Sequence, residues 1–183
     1  SELFIYELGC ALGMNMAVYA RGEGCIKSLD FTDGASVNFE PASAFMGDNE
    51  DYLDVVAALE KLCPEAIPDY IRLIFMDTLC ANPDRHTNNF GLLRDTVTGN
   101  LLGLAPNYDN NMALISRGYP TKAAATDLLI VLFNELLEEH PEYRDYLPVL
   151  TEEAVRGVIA KLNMKVKTQT IIDYVMGRYA LIK

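Results

Sequence analysis

Residues 68–80 read Pro-Asp-Tyr-Ile-Arg-Leu-Ile-Phe-Met-Asp-Thr-Leu-Cys, a helical pattern that is apolar on nearly every side. Ile71, Leu73, Ile74, Phe75, Met76 and Leu79 spread around the axis at 3.6 residues per turn, so this helix belongs at the centre of a fold. It ends before Asn82-Pro83, because proline turns the residue ahead of it away from the helical region. A central helix needs partners to cover it. The chain can supply them: half of its 183 residues are hydrophobic and 22% charged, enough for a domain-sized core and unlike a disordered segment.

The covering elements are legible as patterns. Residues 2–13 read as a helix with Ser1 as N-cap, Gly13 as its end and an apolar stripe of Leu3, Phe4, Leu8, Ala11 and Leu12. Two strand candidates, 16–20 and 25–31, flank the turn Arg21-Gly-Glu-Gly24. Residues 32–50 are polar and are expected to be irregular. A helix is predicted over 51–63, stopped by Pro64. Phe90–Arg94 and Leu101–Leu104 around Thr98-Gly99-Asn100 predict a hairpin. Further helices are predicted at 123–139, 151–163 with Thr151 as N-cap, and 168–181. The expected fold class is α+β and mostly helical, divided into a small helix-plus-hairpin part (1–50) and a helical body (51–183).

Charge and cysteine usage remove several function classes. Fifteen Lys+Arg against 26 Asp+Glu leave a net charge of −11, unfavourable for direct binding to nucleic acid or to an anionic membrane surface. The longest apolar runs, such as 128–133, fall far short of a membrane span, and no charged-then-apolar leader opens the chain. Cys10, Cys25, Cys63 and Cys80 form no C-x-x-C pair, and there are only two histidines, so a structural zinc site is not expected. A reducing cytoplasm is the expected compartment. The first residue is Ser rather than Met, which raises the expectation of a processed chain or a part of a longer one.

The chemistry concentrates in two loops. Asn82 and Pro83 fix the turn that carries Asp84, and Asn89 lies five residues on, where both can converge on one point. A carboxylate and an amide oxygen there suit a hydroxyl proton and a hard Mg²⁺ ion, and Asp109 enters beyond the hairpin as a second carboxylate. That order matches the phosphoryl-transfer template, in which an Asp takes the acceptor proton, an Asn five residues later holds one metal, and a later Asp holds both.

Asn82-Pro-Asp-Arg-His-Thr-Asn-Asn-Phe-Gly-Leu-Leu93, followed by Leu104-Ala-Pro-Asn-Tyr-Asp109, resembles the catalytic and metal-binding loops of the HipA-like kinases. Its Asp-Arg-His-x-x-Asn core is also similar to that of phosphoinositide-type lipid kinases. The resemblance is dense over 71–112. It implies the C-terminal lobe of a protein-kinase-like fold, ATP with Mg²⁺ as cofactors, and phosphorylation of Ser/Thr on a protein, in bacterial toxin–antitoxin systems with an antitoxin-like partner. Carried over by position, Asp84 is the catalytic base, and Asn89 and Asp109 are the metal ligands.

A family member also needs a glycine-rich phosphate loop and a strand Lys paired with a helix Glu. Arg21–Lys27 is short and follows the first helix, so it reads as a plain hairpin turn. The first helix then resembles the one whose Glu meets that Lys, with Glu2 as the candidate and Glu7 as the other. Residues 1–50 would be a remnant of the N-terminal lobe, and residues 1–183 alone are expected to bind ATP weakly or not at all.

The supporting residues have plainer readings beside the functional ones. His86 is either a ligand or base, or a brace of its own loop, and bracing is preferred. Arg85 either contacts phosphate or neutralises nearby acids. Tyr108 packs to position Asp109. His140, Glu135, Glu138, Glu139 and Glu142 read as solvated, and the 171–182 stripe reads as core. Two alternatives to the kinase stay open: a non-catalytic kinase-shaped module that binds a partner protein, and a metal-dependent phosphohydrolase using Asp84, His86 and Asp109.

Overall fold

The computed structural model describes residues 1–117, 126–164 and 166–183. Helix α1 spans Glu2–Ala11, and a hairpin of β1 (Tyr19–Arg21) and β2 (Ile26–Ser28) follows. Next come β3 (Val37–Pro41), the short α2 (Ser43–Met46), α3 (Tyr52–Leu62) and the central α4 (Ile67–Cys80). Strands β4 (Gly91–Asp95) and β5 (Leu101–Leu104) precede α5 (Leu128–Glu139), α6 (Glu152–Lys161) and α7 (Thr168–Tyr179). The fold is α+β and mostly helical, as the patterns predict.

Helix α4 lies at the centre because its sequence leaves it no exposed face. Leu73, Ile74, Phe75, Met76 and Leu79 are all buried, each worth roughly 1.5–3 kcal/mol relative to exposure. Helices α1, α3, α5 and α7 pack around it. Aromatic pairs lock the layers: Tyr70 lies 5.4 Å from Phe90, and Phe75 meets Phe133 and Tyr179 at 6.3 and 6.2 Å. Ala81 ends the helix in a left-handed conformation (φ 52°) that turns the chain into the Asn82-Pro83 loop.

Of the two predicted caps, Thr151 is present in full, and Asp51 forms another that the sequence reading did not assign. The Asp51 side chain accepts from the Leu53 and Asp54 amides at the start of α3, and Thr151 accepts from Ala154 at the start of α6. Ser1 differs. It occupies the N-cap position of α1, but its hydroxyl donates to the Ala113 carbonyl and accepts from the Ser116 amide at 3.0 Å. The apolar stripe of α1 is also rotated from the predicted one. Ile5 and Gly9 are buried and Ala11 is exposed, because the Gly9 surface is taken up by the Met16 side chain.

The stretch 32–50 is not irregular. Strand β3 pairs antiparallel with β4, from Val37 opposite Asp95 to Pro41 opposite Gly91, and β4 pairs with β5. The predicted 90–104 hairpin is therefore two strands of a three-stranded sheet that joins residues on both sides of position 50. Gly91 permits it, since a Cβ there would sit 2.1 Å from the Glu40 carbonyl oxygen. Strands β1 and β2 are shorter than the predicted 16–20 and 25–31, and Met16 instead bridges to Asn107 in parallel.

The α5 pattern predicted from residue 123 is helical from Leu128, and residues 123–125 lie outside the described residues. On α7, Ile171, Ile172 and Val175 are core. Arg178 is buried too, with its Nε donating to the Thr78 carbonyl of α4 and its two Nη atoms bonding Asp127 at 2.6 and 3.1 Å. His140 is half-buried rather than solvated, stacked on Tyr143 at 4.7 Å. No helix among the described residues is long and apolar enough to cross a membrane.

Candidate active site

The loop 82–89 is held from behind by the end of α4. Asn82 donates its side-chain nitrogen to Asp77 Oδ1 at 2.8 Å, and its backbone amide bonds the Asp77 carbonyl at 2.9 Å. Inside the loop, the Asp84 carbonyl accepts from the His86 amide at 3.0 Å and from Asn89 Nδ2 at 3.0 Å. The half-buried Asp84 carboxylate accepts no hydrogen bond among the described residues, so it is free for a donor from outside. The Asn89 amide group is oriented by its nitrogen, which leaves Oδ1 as the atom to offer a cation. His86 Nδ1 accepts from the Asn88 amide at 3.3 Å, a contact within its own loop.

The second loop runs from Ala105 to Asn111. Asp109 has φ 56°, uncommon outside glycine but accessible to Asp, and its Oδ1 accepts from Asn111 Nδ2 at 2.7 Å. Tyr108 donates its hydroxyl to the Asn88 carbonyl at 2.7 Å and sits among Phe31 and Phe39, with ring centres 5.6 and 5.8 Å away. Tyr108 therefore ties Asp109 to the first loop as well as packing beside it. Burial of its ring pushes its pKa up to about 12, so it stays a neutral donor.

Arg85 joins the two loops. Its Nε and Nη2 form a two-pronged pair with Asp77 at 2.8 and 2.9 Å. Nη1 donates to the carbonyls of Asn89 (2.8 Å) and Tyr108 (2.7 Å), and Nη2 also reaches Asn110 Oδ1 (2.8 Å) and Asn107 Oδ1 (3.1 Å). Burial by itself would lower the Arg85 pKa, but the charge and hydrogen bonds of Asp77 outweigh it and the net shift is upward. Of the two readings open for Arg85, neutralising an acid fits: the acid is Asp77, and no N–H remains for a phosphate. Sequence reasoning missed Asp77, Asn107 and Asn110. The one available signal was an Asp within the most apolar part of α4, eight residues before an Arg.

Glu2 lies close to the same loop. Its carboxylate, 8% exposed, accepts from the Asn110 amide at 2.7 Å and from Asn110 Nδ2 at 3.3 Å. The Tyr19 hydroxyl accepts from the Asp109 amide at 3.3 Å, and burial raises its pKa to about 12. Glu7, the other helix candidate, instead pairs with Lys161 on α6. Between β1–β2 and Asp109 opens a cleft of about 450 Å³ lined by Glu2, Tyr19, Ile26, Phe31, Tyr108 and Asp109. That volume falls within the range of small-molecule sites.

The oxygen donors Asn89 Oδ1 and Asp109 fit Mg²⁺, which takes few protein ligands and fills its shell with water and phosphate. Among the described residues no group of three His, Cys, Asp or Glu side chains could hold a metal ion. Asp84, His86 and Asp109 thus do not form the three-ligand cluster of the phosphohydrolase alternative.

The fold is that of kinase-like lobes. A proinflammatory kinase of Helicobacter pylori, CtkA, is similar in structure, with a TM-score of 0.70 and 15% identity over 100% of this chain and 82% of its own. HipA of Shewanella oneidensis, solved with HipB and its operator DNA, is similar with a TM-score of 0.59 and 15% identity. That match covers 99% of this chain but spans 54% of the HipA chain. No curated protein matches by sequence. The HipA-like C-terminal domain family matches residues 21–170, and the chain belongs to that family.

Proposed function

We propose that the chain carries the phosphoryl-transfer centre of a HipA-like serine/threonine kinase that uses ATP and Mg²⁺. The observation that supports it most is the meeting of the 82–89 and 105–111 loops on one arginine, beside a cleft of about 450 Å³. In this reading the free Asp84 carboxylate accepts the proton of a Ser/Thr hydroxyl, a contribution of about 10²–10⁴-fold for a positioned base. Asn89 and Asp109 hold the metal through hard oxygen atoms. When bound, Mg²⁺ offsets the triphosphate charge that a protein of net charge −11 would otherwise repel. Tyr19, Phe31 and Tyr108 give the cleft an aromatic wall for the nucleotide base.

The Shewanella HipA was solved with the protein HipB, and an antitoxin-like protein is the partner we extend to this chain. Direct contact with DNA is not extended, because a net charge of −11 opposes phosphate binding. Four free thiols, two of them buried, suit a reducing cytoplasm.

Titration calorimetry with Mg²⁺ and ATP tests the reading directly. Asp109→Ala should abolish Mg²⁺-dependent binding. Asp84→Ala should keep binding and lose at least about 10²-fold of phosphate transfer to a serine-containing protein. Binding that ignores both Mg²⁺ and Asp109→Ala would favour a non-catalytic partner-binding module.

A further inference from the structure

We propose that the buried Asp77–Arg85 pair sets the separation between Asn89 and Asp109, so that Arg85 is a positioning residue and not a phosphate ligand. The inference rests on the kinase reading for its consequence, but the geometry behind it belongs to the chain itself. Asp77 is 1% exposed and Arg85 8% exposed. The five guanidinium N–H groups face six acceptors within 3.1 Å, all inside the protein. Two are carboxylate oxygens on α4, one is the Asn89 carbonyl, and three belong to residues 107, 108 and 110. The same Nη1 atom holds the carbonyl of one proposed metal ligand and that of the residue before the other. A planar fork fixed to a helix dictates how far apart those two loops stand, which a flexible ammonium cannot do. The carboxylate at its base is also the atom group that orients Asn82 at the entry to the Asp84 loop.

Asn107 gives an independent handle. Its Oδ1 accepts from Arg85 while its Nδ2 is buried without a hydrogen-bond partner. Asn107→Ala therefore removes one acceptor from the fork and also removes an orphaned donor, leaving the ion pair intact.

The experiment compares Arg85→Lys, Asp77→Asn and Asn107→Ala with the unaltered chain. Amide hydrogen exchange over 84–89 and 107–111 is measured together with the melting temperature and Mg²⁺-dependent binding of a non-hydrolysable ATP analogue. Arg85→Lys and Asp77→Asn should each speed exchange in both loops by at least tenfold while the β4–β5 hairpin keeps its protection. Both should weaken nucleotide binding at least tenfold, and the double variant should be no worse than either. Asn107→Ala should show a smaller, parallel change at an unaltered melting temperature. Nucleotide binding lost in Arg85→Lys but kept in Asp77→Asn would make Arg85 a phosphate ligand and overturn the proposal. Faster exchange in the 84–89 loop alone would overturn it too. If the unaltered chain binds no nucleotide, the kinase reading falls, while the exchange pattern still decides whether the pair couples the loops. Should Arg85→Lys or Asp77→Asn unfold, Asn107→Ala decides by whether both loops loosen together.

Discussion

The Glu2 carboxylate accepts the Asn110 amide at 2.7 Å, so the first residue of α1 holds the backbone next to Asp109 across 108 positions of chain. Sequence reading assigned Glu2 to a lysine partner. The structure gives it Asn110, so it already fixes one side of the candidate site without any cation.

Glu2→Ala leaves the buried Asn110 amide without its acceptor, which costs about 1–3 kcal/mol. Glu2→Gln keeps an oxygen there and should cost less. Urea unfolding of both variants checks the order. Equal losses would show that the Asn110 contact contributes little.

Gly91 has no room for a side chain. A Cβ there would lie 2.1 Å from the Glu40 carbonyl oxygen and 2.8 Å from the Pro41 Cα, both backbone atoms of β3. Gly91→Ala must push β3 from β4, and roughly 1–3 kcal/mol of destabilisation is expected from such overpacking. Calorimetric melting of the variant measures it, and an unchanged midpoint would contradict the β3–β4 register.

Arg178 fastens α7 to α4 and to the start of α5. Asp127→Ala leaves a buried guanidinium with the Thr78 carbonyl as its one hydrogen-bond acceptor among the described residues, beside the Tyr174 ring 5.7 Å away. Since the Asp127 side chain is 43% exposed, the loss should be on the order of 1–3 kcal/mol, below that of a fully buried pair. Burial acts to raise the Asp127 pKa, but the bonds and charge of Arg178 prevail and lower it. A depressed carboxylate stabilises above the unfolded value near ~4 and loses that contribution as pH falls through the folded value. Unfolding midpoints should therefore drop below about pH 4, and Asp127→Asn should flatten that limb. An identical acid limb in Asp127→Asn would assign it to other carboxylates.

Tyr19 and Tyr108 titrate near 12 because burial favours the neutral phenol. A raised folded value gives stability that is whole below the unfolded value near ~10 and is lost as pH climbs towards 12. Phenolate absorbance should show these two groups ionising late, in step with loss of the folded state. Tyr19→Phe and Tyr108→Phe should each remove part of the late phase. Early ionisation of both in the folded protein would place them in water.

Much of the fold was legible because its signals are local. The α4 pattern, the helix near 51–63, the Thr151 cap and the turn at 98–100 each depend on residues a few positions apart, and each element formed where it was read. Strand β3 was not legible. Val37-Asn38-Phe39-Glu40 does alternate apolar and polar, but the run is short, ends in Pro41 and sits in a polar stretch with Gly and Asp, and it is a strand because β4 supplies its hydrogen bonds. Ser1 looked like a helix cap, but the nearby Ala113 and Ser116 backbone took its hydroxyl instead.

The site divides the same way. The order Asp84, Asn89, Asp109 stands in the sequence, since a motif is an arrangement along the chain. The role of Arg85 does not, because a guanidinium with five donors takes whatever acceptors folding brings to it. Asp77 lies eight residues away on a helix, and Asn107, Tyr108 and Asn110 lie 22 to 25 away beyond a hairpin. The sequence determined which residue types stand in the two loops. Only the tertiary structure decided that one buried charge pair ties them together, because those bonds exist only after α4 and the hairpin have packed.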